Sequence, residues 1–311
     1  MLATVTHHSV LDVLSDHLQV VWGALVALVV VVLLTPAVGG MARLLGVVDA
    51  PGGRRLNRTP VPRLGGLALF LGIFVPALAF LDLGRETRGL LLGAAVAVTV
   101  GAIDDFRGLR WFEKLGGQLV AAAIPTGFGI WVDRFTFPFV GVHSLPGWVG
   151  VPLTVLWIVA IMNMVNFLDG LDGLAAGVAA IAGLTFAVIA LSLEKPDAAV
   201  MSAIVFGACL GFLRHNFYPA RIFMGDSGAL LLGFVLAVVS VQGLLKTAAG
   251  VSPLSSATVL TSLIVFTLLY AVLAVVEVRL VLHTIRSGPD PAPAPVGTTP
   301  AGEPLLPSLG Y

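Results

Sequence analysis

The sequence predicts an all-α polytopic membrane protein, with about nine transmembrane helices and its chemically loaded loops on the cytoplasmic side. Three observations carry that prediction. Of 311 residues, 58% are apolar and 11% charged, where a soluble domain holds roughly 45–50% and about 25%. The apolar residues gather into stretches close to the 20 or so that cross a bilayer. The 17 basic and 17 acidic residues cancel in sum but are unevenly placed along the chain. A soluble domain, a disordered chain and a basic nucleic-acid binder are excluded, so no nucleic-acid partner is expected. An outer-membrane barrel fits poorly, because its polar lumen face dilutes the apolar content. The lone Cys209 rules out a disulfide framework and a thiolate metal cluster.

The expected spans, in order, are 20–39, 64–82, 88–103, 116–131, 148–162, 173–193, 199–213, 228–245 and 257–282. Nothing basic precedes the first run, the first Arg being Arg43, so no cleavable signal peptide is expected. Residues 1–19 read as an outside tail, 20–286 as one integral membrane domain, and 287–311 as a Pro-rich cytoplasmic tail. Loops after the odd-numbered spans hold twelve of the seventeen Lys and Arg residues. The positive-inside rule therefore puts those loops in the cytoplasm and the N-terminus outside.

Five carboxylates sit in three of those odd loops: Asp104 and Asp105, then Asp169 and Asp172, then Asp226. An adjacent Asp pair at a membrane boundary is costly unless something positive is present. Mg²⁺ is the natural candidate, with Mn²⁺ as the alternative, because it takes carboxylate oxygens together with substrate phosphates. The bland reading, that the Asp pair merely caps a span and faces water, weakens once three such loops share a side. Loop 5 places polar groups at Asn163, Asn166, Asp169 and Asp172. A period of three drifts around a 3.6-residue turn, so Gly170 and Gly173 are expected to break the helix there and aim side chains and amides into a cavity. In loop 7, Ser227 and Gly228 follow Asp226 at the start of span 8, a helix N-terminus suited to an anion. Phe223 fits either a stacking partner for a base or an interfacial anchor. Loop 1 is basic, with Arg43, Arg54, Arg55, Arg58 and Arg63. Such a run fixes topology, meets anionic head groups, or receives phosphates.

On these four loops the chain resembles the polyprenyl-phosphate N-acetylhexosamine-1-phosphate transferase family, from about residue 45 to 245. The matching motifs are Asp104-Asp105 with Lys114-Leu-Gly-Gly-Gln118, the run Asn163 to Gly173, and Asn216 with Tyr218-Pro219-Ala220 and Phe223-Met-Gly-Asp226. The resemblance implies that a polyprenyl phosphate attacks a UDP-N-acetylhexosamine, giving lipid-diphosphate-sugar and UMP at cytoplasmic active-site loops. By the same resemblance, Asp226 is the Mg²⁺ ligand, and Asp104 or Asp105 is the catalytic carboxylate that orients or deprotonates the acceptor phosphate. Asp172 and Phe223 would hold the uracil. Asn163, Asn166, Asp169 and Asn216 would line the nucleotide and diphosphate region, and Lys114 and Arg58 would meet phosphate. Pro62-Arg63-Leu-Gly65-Gly66 looks more like the GlcNAc branch than the muramoyl-pentapeptide branch, which implies UDP-GlcNAc as donor. The resemblance leaves room for a homodimer.

Two departures accompany it. The family's His-rich motif and last helix find no counterpart in 284–311, where His283 is the nearest His, and Asn57 stands where the GlcNAc branch commonly has His. They favour, as one alternative, a relative that does not catalyse. Another alternative is a different Mg²⁺-diphosphate enzyme such as a membrane prenyltransferase, which the Met-Gly-Asp-Ser-Gly run does not serve. A third is an ion-coupled transporter, whose ionisable groups belong at mid-membrane rather than at span ends.

Overall fold

The computed structural model describes residues 18–49, 60–137, 141–241 and Arg279. The expected outside tail up to residue 17, Arg54, Arg55, Asn57, Arg58, the ninth span apart from Arg279, His283 and the Pro-rich tail lie outside the described residues, and Leu18 and Gln19 of that tail already belong to the first helix. The chain forms two compact units, 1–251 and 252–311, and all but Arg279 of what is described belongs to the first.

That unit is mostly helical. Its helices are α1 (Leu18–Leu44), α2 (Gly65–Phe80), α3 (Arg85–Arg107), α4 (Trp111–Gly127), α5 (Gly147–Leu168), α6 (Leu174–Ser192), α7 (Pro196–Asn216) and α8 (Gly225–Val239). Five of them, α1, α3, α5, α6 and α7, are long and apolar enough to cross a membrane, and α2 and α8 are shorter apolar helices. Large apolar side chains such as Leu33, Leu156 and Ile181 lie on the outer surface. A water-facing bundle rarely tolerates such a surface, whereas lipid requires it.

The all-helical expectation needs two corrections. Strands β1 (Val48–Asp49) and β2 (Val61–Pro62) pair antiparallel, with Val48 opposite Pro62 and Asp49 opposite Val61. Strands β3 (Arg134–Phe137) and β4 (Gly141–Ser144) form a second hairpin between α4 and α5. Both lie in connections, where backbone groups without a helix must pair elsewhere. Helix α4 also starts at Trp111, five residues earlier than the apolar run at 116 suggests. Glu113 accepts the Arg110 backbone N–H at 2.9 Å, which caps a polar first turn that a hydropathy reading leaves out.

The core is built around α8, of which every residue except Asp226 is buried. It packs against α2, α3 and α5, while α1 packs on α7 and α2, and α6 on α7. Glycine makes the closest approaches possible. A Cβ on Gly66 would lie 2.0 Å from the Gly228 nitrogen, and one on Gly101 would lie 2.5 Å from the Asp226 carbonyl oxygen. Helices α2 and α3 therefore touch the first turn of α8 backbone to backbone, the packing that small residues permit between apolar helices.

Candidate active site

The connections after α1, α3, α5 and α7 meet at one end of the bundle, around the first turn of α8. Gly225 opens that helix at φ 70°, and a Cβ there would sit 2.6 Å from a carboxylate oxygen of Asp105. Only glycine takes this backbone and this approach together. Asp105 then accepts two backbone N–H groups, from Asp226 on Oδ1 at 2.9 Å and from Ser227 on Oδ2 at 3.0 Å. The Gly225 amide favours the charge on Asp169. The anion expected at this helix N-terminus is thus supplied by the protein's own carboxylates, which satisfy amides that a helix cannot bond internally.

Asp104 turns to a different set of partners, as neighbours about 100° apart on a helix must. Its Oδ1 accepts the Leu109 N–H at 2.6 Å, and its Oδ2 lies 2.8 Å from Lys114 Nζ. The same ammonium lies 2.9 Å from Asp226 Oδ2. Asn166 Nδ2 donates to the other oxygen, Asp226 Oδ1. Asp226 is therefore held between α4 and α5, one oxygen to each helix. Side-chain exposure is 23% for Asp226 and 20% for Lys114 against 8% for Asp104, so an incoming group meets Asp226 and Lys114 first.

The other residues singled out by sequence take supporting positions. Helix α5 runs unbroken through Asn163 and Asn166 and ends at Leu168. Asp169 stands at its end and Asp172 lies in the following turn, so the period of three never has to fit one helix. Asn163 pairs with Gln118 through both amides, at 2.8 and 3.3 Å, one turn deeper in the bundle. Asn216 is buried; it accepts the Gly173 N–H at 3.1 Å and donates to the Ile222 carbonyl at 2.9 Å. Asp172 accepts the Ala220 N–H at 2.9 Å. These bonds tie the turn after α5 to the loop that leads into α8. Phe223 joins that loop to the β2 segment, donating to the Pro62 carbonyl at 2.8 Å and accepting the Gly65 N–H at 3.0 Å. Its ring is half-buried.

Charge concentrates here. Burial first, and then the negative charges of Asp105 and Asp226, push the Asp169 carboxyl up to about 7, with Arg63 and the Gly225 amide opposing. Arg63 also acts on Asp105. The sequence marks Arg63 only through a basic run and the Pro62-Arg63-Leu-Gly65-Gly66 motif, and Gln118 only through a motif, without a site role for either. The i, i+4 spacing of Lys114 and Gln118 is the signal that puts both on one face of α4.

Among the described residues, no group of three or more His, Cys, Asp or Glu side chains is arranged to hold a metal. Mg²⁺ does not need one, since it is commonly held by one or two carboxylates plus substrate phosphates and water. Asp104 and Asp226, 2.8 and 2.9 Å from one ammonium, already show that two hard oxygen donors converge on a single positive centre, and this donor set suits the ion.

The profile of glycosyl transferase family 4 matches residues 87–244, a stretch that holds the candidate carboxylates, amides, Lys114 and Phe223, while Arg58 and Arg63 precede it. A second profile, cytochrome bd terminal oxidase subunit I, matches 229–289, an apolar stretch that carries none of them. One relative, from Bacillus subtilis (strain 168), is named as a probable undecaprenyl-phosphate N-acetylglucosaminyl 1-phosphate transferase. It is 38% identical over 232 residues, covering 74% of this chain and 64% of the relative. The decaprenyl-phosphate N-acetylglucosaminephosphotransferase of Mycobacterium tuberculosis (strain ATCC 25618 / H37Rv) is 37% identical over 286 residues, 84% of this chain and 69% of that protein. The phospho-N-acetylmuramoyl-pentapeptide-transferase of Desulforudis audaxviator (strain MP104C) is 36% identical over 214 residues, 60% of this chain and 64% of that protein. The chain thus spans about two thirds of the length of these relatives. It is a multi-pass membrane protein, and it belongs to glycosyl transferase family 4.

Proposed function

We propose that this chain transfers N-acetylglucosamine 1-phosphate from UDP-GlcNAc to a polyprenyl phosphate, releasing UMP, in the building of a wall or surface polysaccharide. The observation that carries the reading is Asp226, clasped by Lys114 and Asn166 beside Asp104, at one end of an apolar bundle where a soluble nucleotide and a membrane lipid can both arrive. The relatives named for N-acetylglucosamine 1-phosphate transfer, and the Pro62-Arg63-Leu-Gly65-Gly66 run, favour that sugar over the muramoyl pentapeptide.

In this reading an oxygen of the lipid phosphate attacks the phosphorus bonded to the sugar, and the bond from that phosphorus to the UMP oxygen breaks. Phosphoryl transfer asks mainly for positioning and charge neutralisation. Asp226 would hold Mg²⁺ or Mn²⁺, which when bound offsets the diphosphate charge. Lys114 adds a positive charge from the protein itself. Asp105 has both oxygens committed to α8 amides. Asp104, whose Oδ2 faces the Lys114 ammonium beside Asp226 rather than an α8 amide, is the member of the pair that orients the acceptor phosphate and takes its proton. Asp172 and Phe223, in the two loops joined at Ala220, would receive the uracil, and Asn166 steadies Asp226. The nine-span count, the outside N-terminus, the cytoplasmic site and a homodimer belong to the same proposal.

The test is release of UMP by purified protein in detergent with Mg²⁺, undecaprenyl phosphate and labelled UDP-GlcNAc. Activity should vanish with a chelator, return with Mg²⁺ or Mn²⁺, and fall at least 100-fold in Asp226→Asn. Failure of the wild type under conditions where the B. subtilis relative works would sink the reading.

A further inference from the structure

Helices α4 and α5 run antiparallel beside each other, and their polar side chains form two rungs. The upper rung is Lys114 and Asn166, each on one oxygen of Asp226. The lower rung is Gln118 and Asn163. Gln118 lies four residues beyond Lys114 and Asn163 three residues before Asn166, so each pair shares a helix face.

The lower rung bonds chiefly within itself, with Asn163 half-buried. Gln118 is 1% exposed. Asn163 Nδ2 donates to Gln118 Oε1 and to the Val159 carbonyl, both at 2.8 Å, and Asn163 Oδ1 accepts from Gln118 Nε2 at 3.3 Å. An asparagine amide has two N–H donors, and both are used within the protein. Both Asn163 N–H groups are thus spent inside the protein, which gives this side chain a part in holding α4 against α5.

We propose that Gln118 and Asn163 are a pair of positioning residues that lock the axial register of α4 against α5, so that Lys114 and Asn166 meet the same carboxylate. The role rests on the transferase reading given above. Around the rung the two helices offer leucine, valine, isoleucine, methionine and glycine. Such surfaces tolerate repacking, and a slide along the axis leaves apolar contacts in place. An amide pair does not tolerate it, because a slide strands buried donors and acceptors, and this is how a single polar position sets register in packed helices. Register matters at the upper rung, where a misplacement of about 1 Å can cost roughly 100-fold in rate.

The experiment removes the lock without leaving a polar group unpaired. Replacing both partners of a buried hydrogen bond by apolar groups is close to neutral for stability. The double variant Gln118→Leu/Asn163→Leu should therefore keep the wild-type elution profile and melting temperature while its UMP release falls at least tenfold. The exchange variant Gln118→Asn/Asn163→Gln rebuilds the pair and should recover to within about threefold of wild type. Spin labels at Val120→Cys on α4 and Leu156→Cys on α5 read the register without turnover. Both sites are well exposed, at 59% and 65%, and the native Cys209 is buried. The distance between labels should be narrowly distributed in the wild-type background, broaden or shift in the double Leu variant, and narrow again in the exchange variant. A double Leu variant with wild-type rate and spacing, or an exchange variant no better than the double Leu variant, would overturn the proposal. If the wild type itself releases no UMP, the transferase reading fails on its own and the label distances alone decide the lock.

Discussion

Asp105→Ala isolates what an adjacent carboxylate contributes when its work is to hold a helix. Asp105 accepts the Asp226 and Ser227 N–H groups at 2.9 and 3.0 Å. A hydrogen bond to a charged group contributes roughly 1.5–3 kcal/mol, and a negative charge at a helix N-terminus adds about 0.3–1 kcal/mol. Removing Asp105 also relieves the cost of burying its charge and its repulsion with Asp169, which return part of the loss. The net cost should be about 3 kcal/mol for Ala. For Asn it should be about half that, since one amide oxygen still accepts. At roughly 2–4 °C per kcal/mol for a unit of this size, Asp105→Ala should melt about 6–12 °C below wild type. The assay is heating in detergent followed by size-exclusion recovery of folded protein, with Asp104→Ala alongside. Asp104 bonds Lys114 and Leu109 but no α8 amide, so it should lose less. An Asp105→Ala variant melting within about 2 °C of wild type would refute the reasoning.

Three further outcomes follow from the same geometry. Gly66→Ala should cost about 3 kcal/mol or more, at the top of the usual overpacking range, because its Cβ would lie 2.0 Å from backbone. Gly40→Ala, with nothing within 4 Å, should be neutral or stabilising, and melting temperatures of the pair check this. Asp169 in the fold titrates near 7, above the roughly 3.9 of an unfolded Asp, so the folded state binds the extra proton between those values. Wild-type stability should then fall as pH rises through that window. Asp169→Asn should gain on wild type at pH 8 and lose that advantage by pH 4, so a difference in melting temperature that does not change with pH would discount it. Lys114→Ala should lower UMP release by 100-fold or more, and a near-normal rate would remove Lys114 from the phosphate site.

Much of this molecule is readable without coordinates because a bilayer punishes ambiguity. Each of the first eight apolar stretches overlaps a helix, since lipid leaves backbone groups no other partner. Asp104, Asp105, Asp169 and Asp226 stood out because charge is rare in such a chain, and the structure gathers all four around one helix end. Their division of labour could not be read. Whether Asp104 or Asp105 faces α8 depends on where Gly101 seats against Ser227, a tertiary contact with no local signature. Asn163 and Asn166 look equivalent in the motif, yet one meets Gln118 and the other Asp226, a difference set by their depth in the bundle. The short strands escaped because two to four residues leave no period to detect.

The enclosure of α8 also says something about how such a chain is made. Asp105 precedes its two amide partners by more than a hundred residues, and Asn166 precedes Asp226 by sixty. Synthesis runs from the N-terminus, so α3 and α5 enter the membrane with these groups waiting for a helix not yet translated. Helix α8, the most buried of the bundle, brings both the core packing and the partners of these side chains. A chain that stops short of residue 225 therefore holds Asp105 without the two amides that pair with it in the finished fold.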